Sequence, residues 1–218
     1  MPLNQGDIAF VQYNADNTDN FAFVALVDIA GGEVINFTDN GWQNTFAFRT
    51  GEGIIAWTAP VAGVTAGTVV TITTTPSATS GTVSETLDLN FAAAGDQIIA
   101  YQGTNTMIAA LNNEGAATWQ TTAADTSTSA LPQGLSNGTN AVAITEIDNA
   151  RHTGPTTGDK ATLLAAINNP NNWSGDDATN QTFQVLLSSV VAILLASQSS
   201  NLLVIPMSQR VAPLIHIQ

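Results

Sequence analysis

The sequence has no cysteine and very few cations, and both shortages exclude classes of function. Its 218 residues include only four Lys or Arg. Without cysteine, the chain has no disulfide, no thiol nucleophile and no cysteine-based zinc site. With a formal net charge of −13, it lacks the basic residues that a nucleic-acid-binding protein needs to neutralise phosphates. The same charge disfavours binding to an anionic membrane.

Histidine is almost as scarce as the cations, which limits the metal and catalytic sites that are available. His152 and His216 are the only two, and they are too few for a His-rich zinc site. A hydrolase centred on His152, with Asp148 nearby and a serine as nucleophile, is formally available, but the hydroxyl residues are spread by composition. The sequence therefore predicts that the protein is not an enzyme. A hydrolase centred on His152 is the weaker alternative.

Most of the first hundred residues are predicted to form β-strands. Short apolar or β-branched runs alternate with turn-forming residues, as is typical of a β-sandwich or barrel. Asp39-Asn40-Gly41 is a strong turn signal between two of these runs. The predicted strands are Asp7–Tyr13, Phe21–Asp28, Glu33–Thr38, Gly53–Thr58, Thr68–Thr75 and Asp96–Gln102.

The following segment is less regular, apart from one helix. The run MIAALNN is consistent with either a helical turn or a strand, and Ala141–Ile147 predicts another strand. A helix near 159–168 is predicted because Asp159 is a good N-cap, Lys160–Ile167 contains good helix formers, and Pro170 ends the pattern. These elements predict a β-sandwich domain over residues 1–183, with a helical closing segment.

Residues 184–218 differ in character and are predicted to be an apolar C-terminal tail. Two apolar runs stand in a stretch without acidic residues, and the longer run is too short for a standard transmembrane helix. The tail is interpreted as a final core element, an artefactual extension, or an assembly arm that adds a strand to a neighbouring subunit. The predicted assembly residues are Val185, Leu186, Leu187, Val190, Val191, Ile193, Leu194, Leu202, Leu203, Val204 and Ile205.

A series of motifs in the first hundred residues is similar to a known family. The series GDIAFVQYNADNTDNFAFVALVDIAGGEVINFTDNGW, FRTGEGIIAWTAP, AGTVVTIT and AGDQIIAYQG resembles the lamin-tail-like modules of bacterial extracellular proteins. The stretch TGPTTGDKATLLAAINNPNNW is similar to the segment that closes such modules. The resemblance implies an immunoglobulin-like β-sandwich, an extracellular or cell-surface location, and a binding or structural role without catalytic residues.

The acidic loops are candidates for a calcium site, because calcium prefers carboxylate and amide oxygens on flexible loops. Asn14, Asp16 and Asp19 share one loop, and Asp39 joins them if its own loop lies at the same end. Trp42 and Trp119 are predicted to be the more exposed tryptophans, and they are candidates for stacking on a sugar ring. Asp148 and Asp176-Asp177 are weaker candidates for metal binding.

Taken together, these observations predict a non-enzymatic extracellular structural or adhesive module that self-assembles with the help of calcium. Its expected partner is a second copy of itself, in an oligomer or filament, or an extracellular glycan. The alternative is a carbohydrate- or ligand-binding accessory module of a larger secreted enzyme. Apart from calcium, no cofactor is expected.

Overall fold

The structure is a computed structural model that describes residues 2–87 and 89–183. The described residues belong to one compact unit, Met1–Gln184, and the chain after it, Val185–Gln218, forms a second unit. All the predicted assembly residues fall in that second unit, outside the described residues. Their role therefore stays a prediction.

The first sheet has six strands in the order β12-β11-β1-β2-β5-β6. Its neighbouring strands are antiparallel throughout. The sheet consists of β1 (Ile8–Asn14), β2 (Asn20–Ala25), β5 (Val69–Thr73), β6 (Ser77–Ala78), β11 (Asn149–His152) and β12 (Trp173–Asp176).

The second sheet also has six strands, in the order β10-β9-β8-β3-β4-β7. Its only parallel pair joins β9 to β10, at one edge. The sheet consists of β3 (Val34–Thr38), β4 (Ile54–Thr58), β7 (Thr82–Leu87), β8 (Gln97–Gln102), β9 (Thr106–Asn112) and β10 (Ala141–Ala143).

The core between the sheets is built on aromatic residues from both of them. Phe23 of the first sheet stacks on Phe37 of the second, with ring centroids 5.3 Å apart. Phe23 also meets the ring of Trp57 edge-on at 5.2 Å. All three side chains are fully buried. Such rings contribute large apolar areas, so this cluster holds the two sheets face to face. The predicted all-β sandwich is confirmed.

Both sheets are also covered on their outer faces. Strand β1 is buried along its whole length because helix α1 (Lys160–Ile167) packs over the first sheet. A β-bulge between Phe10 and Gln12 shifts the alternation, so that Val11 and Gln12 both face outward and Tyr13 returns to the core. The long segment 113–140 covers the second sheet and buries Trp42 and Tyr101.

A closing segment, residues 177–183, crosses the outer face of the first sheet after β12. Two outward-facing amides of β1 bind its main chain. Asn14 accepts a hydrogen bond from Gln181 N at 2.7 Å and donates one to Gln181 O at 2.9 Å, and Gln12 Oε1 accepts one from Phe183 N at 2.7 Å. Residues 177–183 are therefore fixed partly by the side chains of Gln12 and Asn14 and partly by Phe183, which packs against the outer apolar cluster.

One local prediction was wrong. Strand β3 ends at Thr38 as expected, but Asp39-Asn40-Gly41 forms no turn and runs on to a bridge between Trp42 and Phe48. A glycine is required here for space, since a Cβ at Gly41 would lie 2.1 Å from the carbonyl oxygen of Thr128. The glycine therefore marks a close approach of two backbones. Across the described part of the chain, no helix is both long and apolar enough to cross a membrane.

Candidate functional site

One end of the sandwich collects most of the chain's acidic residues. Strands β1, β3, β9 and β12 end here, and β4, β8 and β11 begin here, so the loops that join them meet at this end. We call this region the acidic end. The sequence contains 17 Asp and Glu, and the described ones at this end are Asp16, Asp19, Asp39, Glu52, Asp96, Glu114, Asp125, Glu146, Asp148, Asp176 and Asp177.

These carboxylates influence one another across the whole end. Asp177 repels Glu146 and Asp148, and Asp148 also repels Asp16. The repulsion continues from Asp16 to Asp19 and from Asp19 to Asp39. Among the described residues, Arg49 is the only cation that lowers any of the raised pKa values at this end. The acidic end therefore carries a charge that its own residues leave largely unbalanced.

Three aspartates at this end hold one short segment by its backbone. Asn90 N donates to Asp39 Oδ2 at 3.0 Å, Phe91 N to Asp19 Oδ2 at 2.8 Å, and Ala92 N to Asp96 Oδ2 at 2.9 Å. Hydrogen bonds to ionised acceptors are among the stronger ones in proteins. Three successive amides thus fix the loop between β7 and β8 against three different carboxylates.

Burial changes the acidity of three carboxyl groups at the acidic end. Burial raises the pKa of Asp96 to about 8, with repulsion from Asp39 and Glu52 adding to it. Burial and repulsion from Asp39 raise the pKa of Glu52 to about 7, and burial raises the pKa of Asp39 to about 6 despite its backbone hydrogen bonds. Each group is therefore poised to exchange a proton near neutral pH.

These three carboxylates line one pocket, which we call the acidic pocket. Its volume is about 260 Å³. Leu87, at 51% exposure, forms part of its wall. The described residues that line it are Asp39, Gly51, Glu52, Leu87, Asn90, Ala92, Asp96 and Thr126.

Two buried acceptors beside the acidic pocket have no hydrogen-bond partner among the described residues. One is Glu52 Oε2, on a side chain that is 10% exposed. Arg49 Nη1 lies 3.9 Å from it, too far for a hydrogen bond. The other is Gln97 Oε1. The Nε2 of Gln97 donates to the carbonyl oxygens of Asp39 and Thr126, so the two carbonyls fix the orientation of the amide and leave Oε1 open.

The chain was compared with models of protein families, with curated proteins and with solved structures. None of them matches. The resemblance to lamin-tail-like modules is thus carried by the sequence motifs alone.

The four predicted calcium ligands lie at the acidic end without forming one site. Asn14 is fully buried and its amide binds the closing segment. Asp16 accepts a hydrogen bond from Asn149 Nδ2 at 2.9 Å, whereas Asp19 and Asp39 hold the loop after β7. Within residues 2–87 and 89–183, no three acidic or histidine side chains converge closely enough to hold a metal ion.

The two predicted stacking tryptophans lie on the outer face of the second sheet. Trp42 is 2% exposed and packs edge-on against Phe48, so the expectation that it is exposed was wrong. The segment 113–140, whose packing the sequence did not indicate, covers it. Trp119 is half-buried beside the same cluster, and its Nε1 donates to Asn137 Oδ1 at 3.0 Å. Sugar stacking by Trp119 stays a prediction.

Among the described residues, the structure does not place a serine and a carboxylate around His152 as the hydrolase alternative requires. Its Nε2 lies 3.1 Å from the carbonyl oxygen of Pro155, and its buried Nδ1 has no hydrogen-bond partner among the described residues. Burial lowers the pKa of this imidazole. Neither ring nitrogen contacts a hydroxyl or a carboxylate in the part of the chain that the structure describes.

Sequence reasoning also missed a Gly-x-Ser-x-Gly pattern, the signature of a nucleophile elbow, at Gly134–Gly138. An elbow places its serine between a strand and a helix. Ser136 instead lies in a loop, where its carbonyl oxygen accepts hydrogen bonds from Thr139, Asn140 and Ala141. The pattern here forms an ordinary loop.

Glu52 and Asp96 are the site residues that the sequence did not single out. Asp96 directly precedes β8, and Glu52 is separated from β4 by Gly53. Neither carboxylate belongs to an acidic run in the sequence. Their only local signal is a carboxylate next to a strand that is buried on at least one face. Their proximity to Asp39 depends on the order of the strands in the second sheet.

Proposed function

We propose that this protein is a non-enzymatic extracellular β-sandwich module with a structural or adhesive role, which self-assembles with the help of calcium. The observation that carries this proposal is the acidic end. Its linked carboxylates repel any second acidic surface, and among the described residues only Arg49 offsets them. A divalent cation would neutralise two such ends at once, because carboxylate oxygens are the ligands that calcium prefers.

In this proposal calcium bridges surfaces and does not fill a preformed cage. The exposed members of the acidic end, such as Asp177, face solvent and can contact a cation from it. Their charge also makes assembly sensitive to ionic strength, since exposed charges are screened over about 10 Å at 0.1 M salt. The resemblance to lamin-tail-like modules supports the same class of function, because the implied sandwich agrees with the observed two sheets.

The test is the mass distribution of the full chain in solution, with calcium or with a chelator, at matched ionic strength. We expect a larger mean mass with calcium, and a smaller calcium effect in Asp16→Ala. Asp28→Ala is the matched control, since Asp28 lies at the opposite end, where its carboxylate accepts a hydrogen bond from Ala66 N at 2.8 Å. Identical distributions with calcium and with chelator would exclude calcium-assisted assembly.

The proposed arm is tested separately. Deleting Val185–Gln218 removes all the predicted assembly residues, and the proposal expects a monomer in the presence of calcium. If the truncated chain forms the same oligomers as the full chain, assembly proceeds without the arm. That result would restrict the contact to residues 1–184.

A further inference from the structure

The acidic pocket has the lining of a receptor for a positively charged side chain. We propose that it binds the ammonium or guanidinium group of a lysine or arginine presented by a partner protein. This inference rests on the proposed adhesive function, because it names the chemistry of the partner. It concerns only Asp39, Glu52, Asp96 and their surroundings.

The first argument is an excess of acceptors over donors. Three carboxylates line the pocket, and their neighbours already supply several backbone N–H donors to Asp39 and Asp96. The backbone of Gly41 also donates to the carboxyl group of Glu52, but its buried Oε2 has no hydrogen-bond partner among the described residues. Leaving a buried acceptor unpaired is unfavourable, and more so when it is charged. A ligand that donates N–H groups would remove this penalty.

The second argument is the open amide oxygen of Gln97, whose side chain is hydrogen-bonded to two lining residues but does not itself line the pocket. Gln97 is fully buried, and its Nε2 donates to the carbonyl oxygen of Thr126 at 3.0 Å as well as to that of Asp39. Both Asp39 and Thr126 line the pocket. Flipping the amide would set an oxygen against two carbonyl oxygens. Gln97 Oε1 is thus a second acceptor that lacks a donor among the described residues, on the residue that follows Asp96.

The third argument is size, which favours an organic cation over a metal ion. The pocket volume is about 260 Å³, whereas a water molecule in the liquid takes up about 30 Å³. No three acidic or histidine side chains of the described chain converge as a metal ion requires. A lysine or arginine fits better, since its donors spread over several acceptors and its aliphatic stem packs on apolar surface such as Leu87.

Two of the three cations in the described part of the chain are engaged elsewhere. Lys160 pairs with Asp7, and Arg151 Nη1 lies 3.4 Å from the carbonyl oxygen of Thr182. Arg49 stays at 3.9 Å from Glu52. Arg49 thus forms an ion pair with Glu52 without a hydrogen bond to its Oε2. A further cation that donates hydrogen bonds into the pocket would come from outside the described part of this chain, which agrees with a partner protein.

Proton exchange gives the pocket a dependence on pH. Among the described residues, the charged and titratable groups around Asp96 are Tyr13 in β1, Asp39 after β3, Glu52 before β4, Asp19 in the β1–β2 loop, Asp125 in segment 113–140, and Arg49. All but Arg49 are acidic. The raised pKa values of Glu52 and Asp96 leave both groups partly protonated at neutral pH. A bound cation favours their ionised forms, so binding releases protons and strengthens as the pH rises from 6 to 9.

The experiment titrates the full chain with N-acetyl-lysine methylamide and follows backbone amide signals by NMR. N-acetyl-norleucine methylamide is the control ligand, since it has the same stem without the ammonium. We expect saturable shifts for Gly53, Asn90 and Thr126 with the lysine compound only. Glu52→Gln is expected to weaken binding about tenfold. Asp177→Asn, which changes an exposed carboxylate of the acidic end outside the pocket, is expected to bind as the original chain does.

Three results would overturn the inference: equal shifts with both ligands, unchanged binding in Glu52→Gln, or equal losses in Glu52→Gln and Asp177→Asn. Saturable calcium binding at these same amides that displaces the lysine compound would also overturn it. Asp96→Asn serves if Glu52→Gln unfolds, as judged by its melting temperature. Calcium-dependent assembly is measured independently by mass, so a failure of the pocket and a failure of the proposed function are distinguishable.

Discussion

Each end of the sandwich buries an aspartate directly before a strand, and the two aspartates differ in the groups that compensate their charge. Asp7 directly precedes β1 and Asp96 directly precedes β8, and they are 5% and 2% exposed. Asp7 pairs with the ammonium group of Lys160 and also accepts a hydrogen bond from Asn4 N at 2.6 Å. In the described part of the chain, the groups that donate hydrogen bonds to Asp96 are all backbone N–H groups.

The difference shows what a buried carboxylate requires. A hydrogen bond from a neutral amide satisfies its lone pairs but leaves its charge in a medium of low polarity. At the Asp7 end a helix supplies the counter-charge. At the acidic end the charge is reduced by a proton, because burial raises the pKa of Asp96 to about 8. An end that lacks its own cation responds to cations and protons from solution.

The largest effect on stability is expected from removing the ammonium group that pairs with Asp7. Lys160→Met keeps the length and helix propensity of the side chain but leaves Asp7 buried and unpaired. We expect a loss of about 3 kcal/mol in the free energy of unfolding, at the lower limit for a buried pair, since the Lys160 side chain is 35% exposed. Urea unfolding at pH 7 measures it. Lys160→Arg is the control and should lose much less; an unchanged midpoint in Lys160→Met would contradict the comparison.

A smaller effect is expected from pH at the acidic end. The folded pKa values of Glu52 and Asp96, about 7 and about 8, lie above their ordinary values. The folded state therefore holds more protons than the unfolded state in this range, and its extra stability is lost as the pH rises through these values. Between pH 6.5 and 9 we expect a decrease of about 2 kcal/mol in the free energy of unfolding.

Denaturant unfolding at several pH values checks this decrease, and Asp96→Asn provides the reference. The variant lacks the most perturbed carboxyl group, so its stability should vary less over the same range, whatever its absolute value. Stability that increases steadily from pH 6.5 to 9 in the original chain would show that the buried carboxylates are compensated after all.

The smallest effect is expected from an exposed member of the acidic end. Asp177 repels Glu146 and Asp148, and Asp177→Asn relieves that repulsion. Because exposed charges interact weakly, we expect a gain of only about 0.3 kcal/mol at low ionic strength. Thermal unfolding in low and high salt measures it, and the gain should disappear in high salt. A gain that persists in high salt would point to a cause other than charge.

The sequence predicted best the elements whose signals are local. Helix α1 begins and ends at the predicted residues, because the side chain of Asp159 caps it and accepts a hydrogen bond from Thr162 N at 2.8 Å. Most predicted strands agree with the structure to within a few residues, since apolar runs of that length are buried in either sheet. The ambiguous run MIAALNN belongs to β9, which lies beside β8.

The missed strands depend on pairing and carry little signal of their own. Strand β7, Thr82–Leu87, is mostly polar and exposed because it lies at an edge of the second sheet. Strand β12 contains Gly175, where a Cβ would lie 1.8 Å from the carbonyl oxygen of Asn149. A glycine normally weakens a strand, so only the close approach of β11 explains this one.

The candidate site was predicted in part for the same reason. Asp19 and Asp39 stand in acidic loops, which are visible in the sequence, and they do meet at one end. Glu52 and Asp96 are isolated carboxylates in the sequence. Their place beside Asp39 follows from β3 lying between β4 and β8, which no local pattern encodes.

The way in which the closing segment is bound determines which of its residues can be substituted. Gln12 and Asn14 recognise residues 181–183 through main-chain N–H and C=O groups, which every residue except proline supplies. Side chains at Gln181 and Thr182 can therefore change while the segment stays attached, provided that Phe183 keeps its apolar contact. The attachment of residues 181–183 therefore accepts many sequences. A different sequence after residue 183 would leave these contacts with the sandwich unchanged.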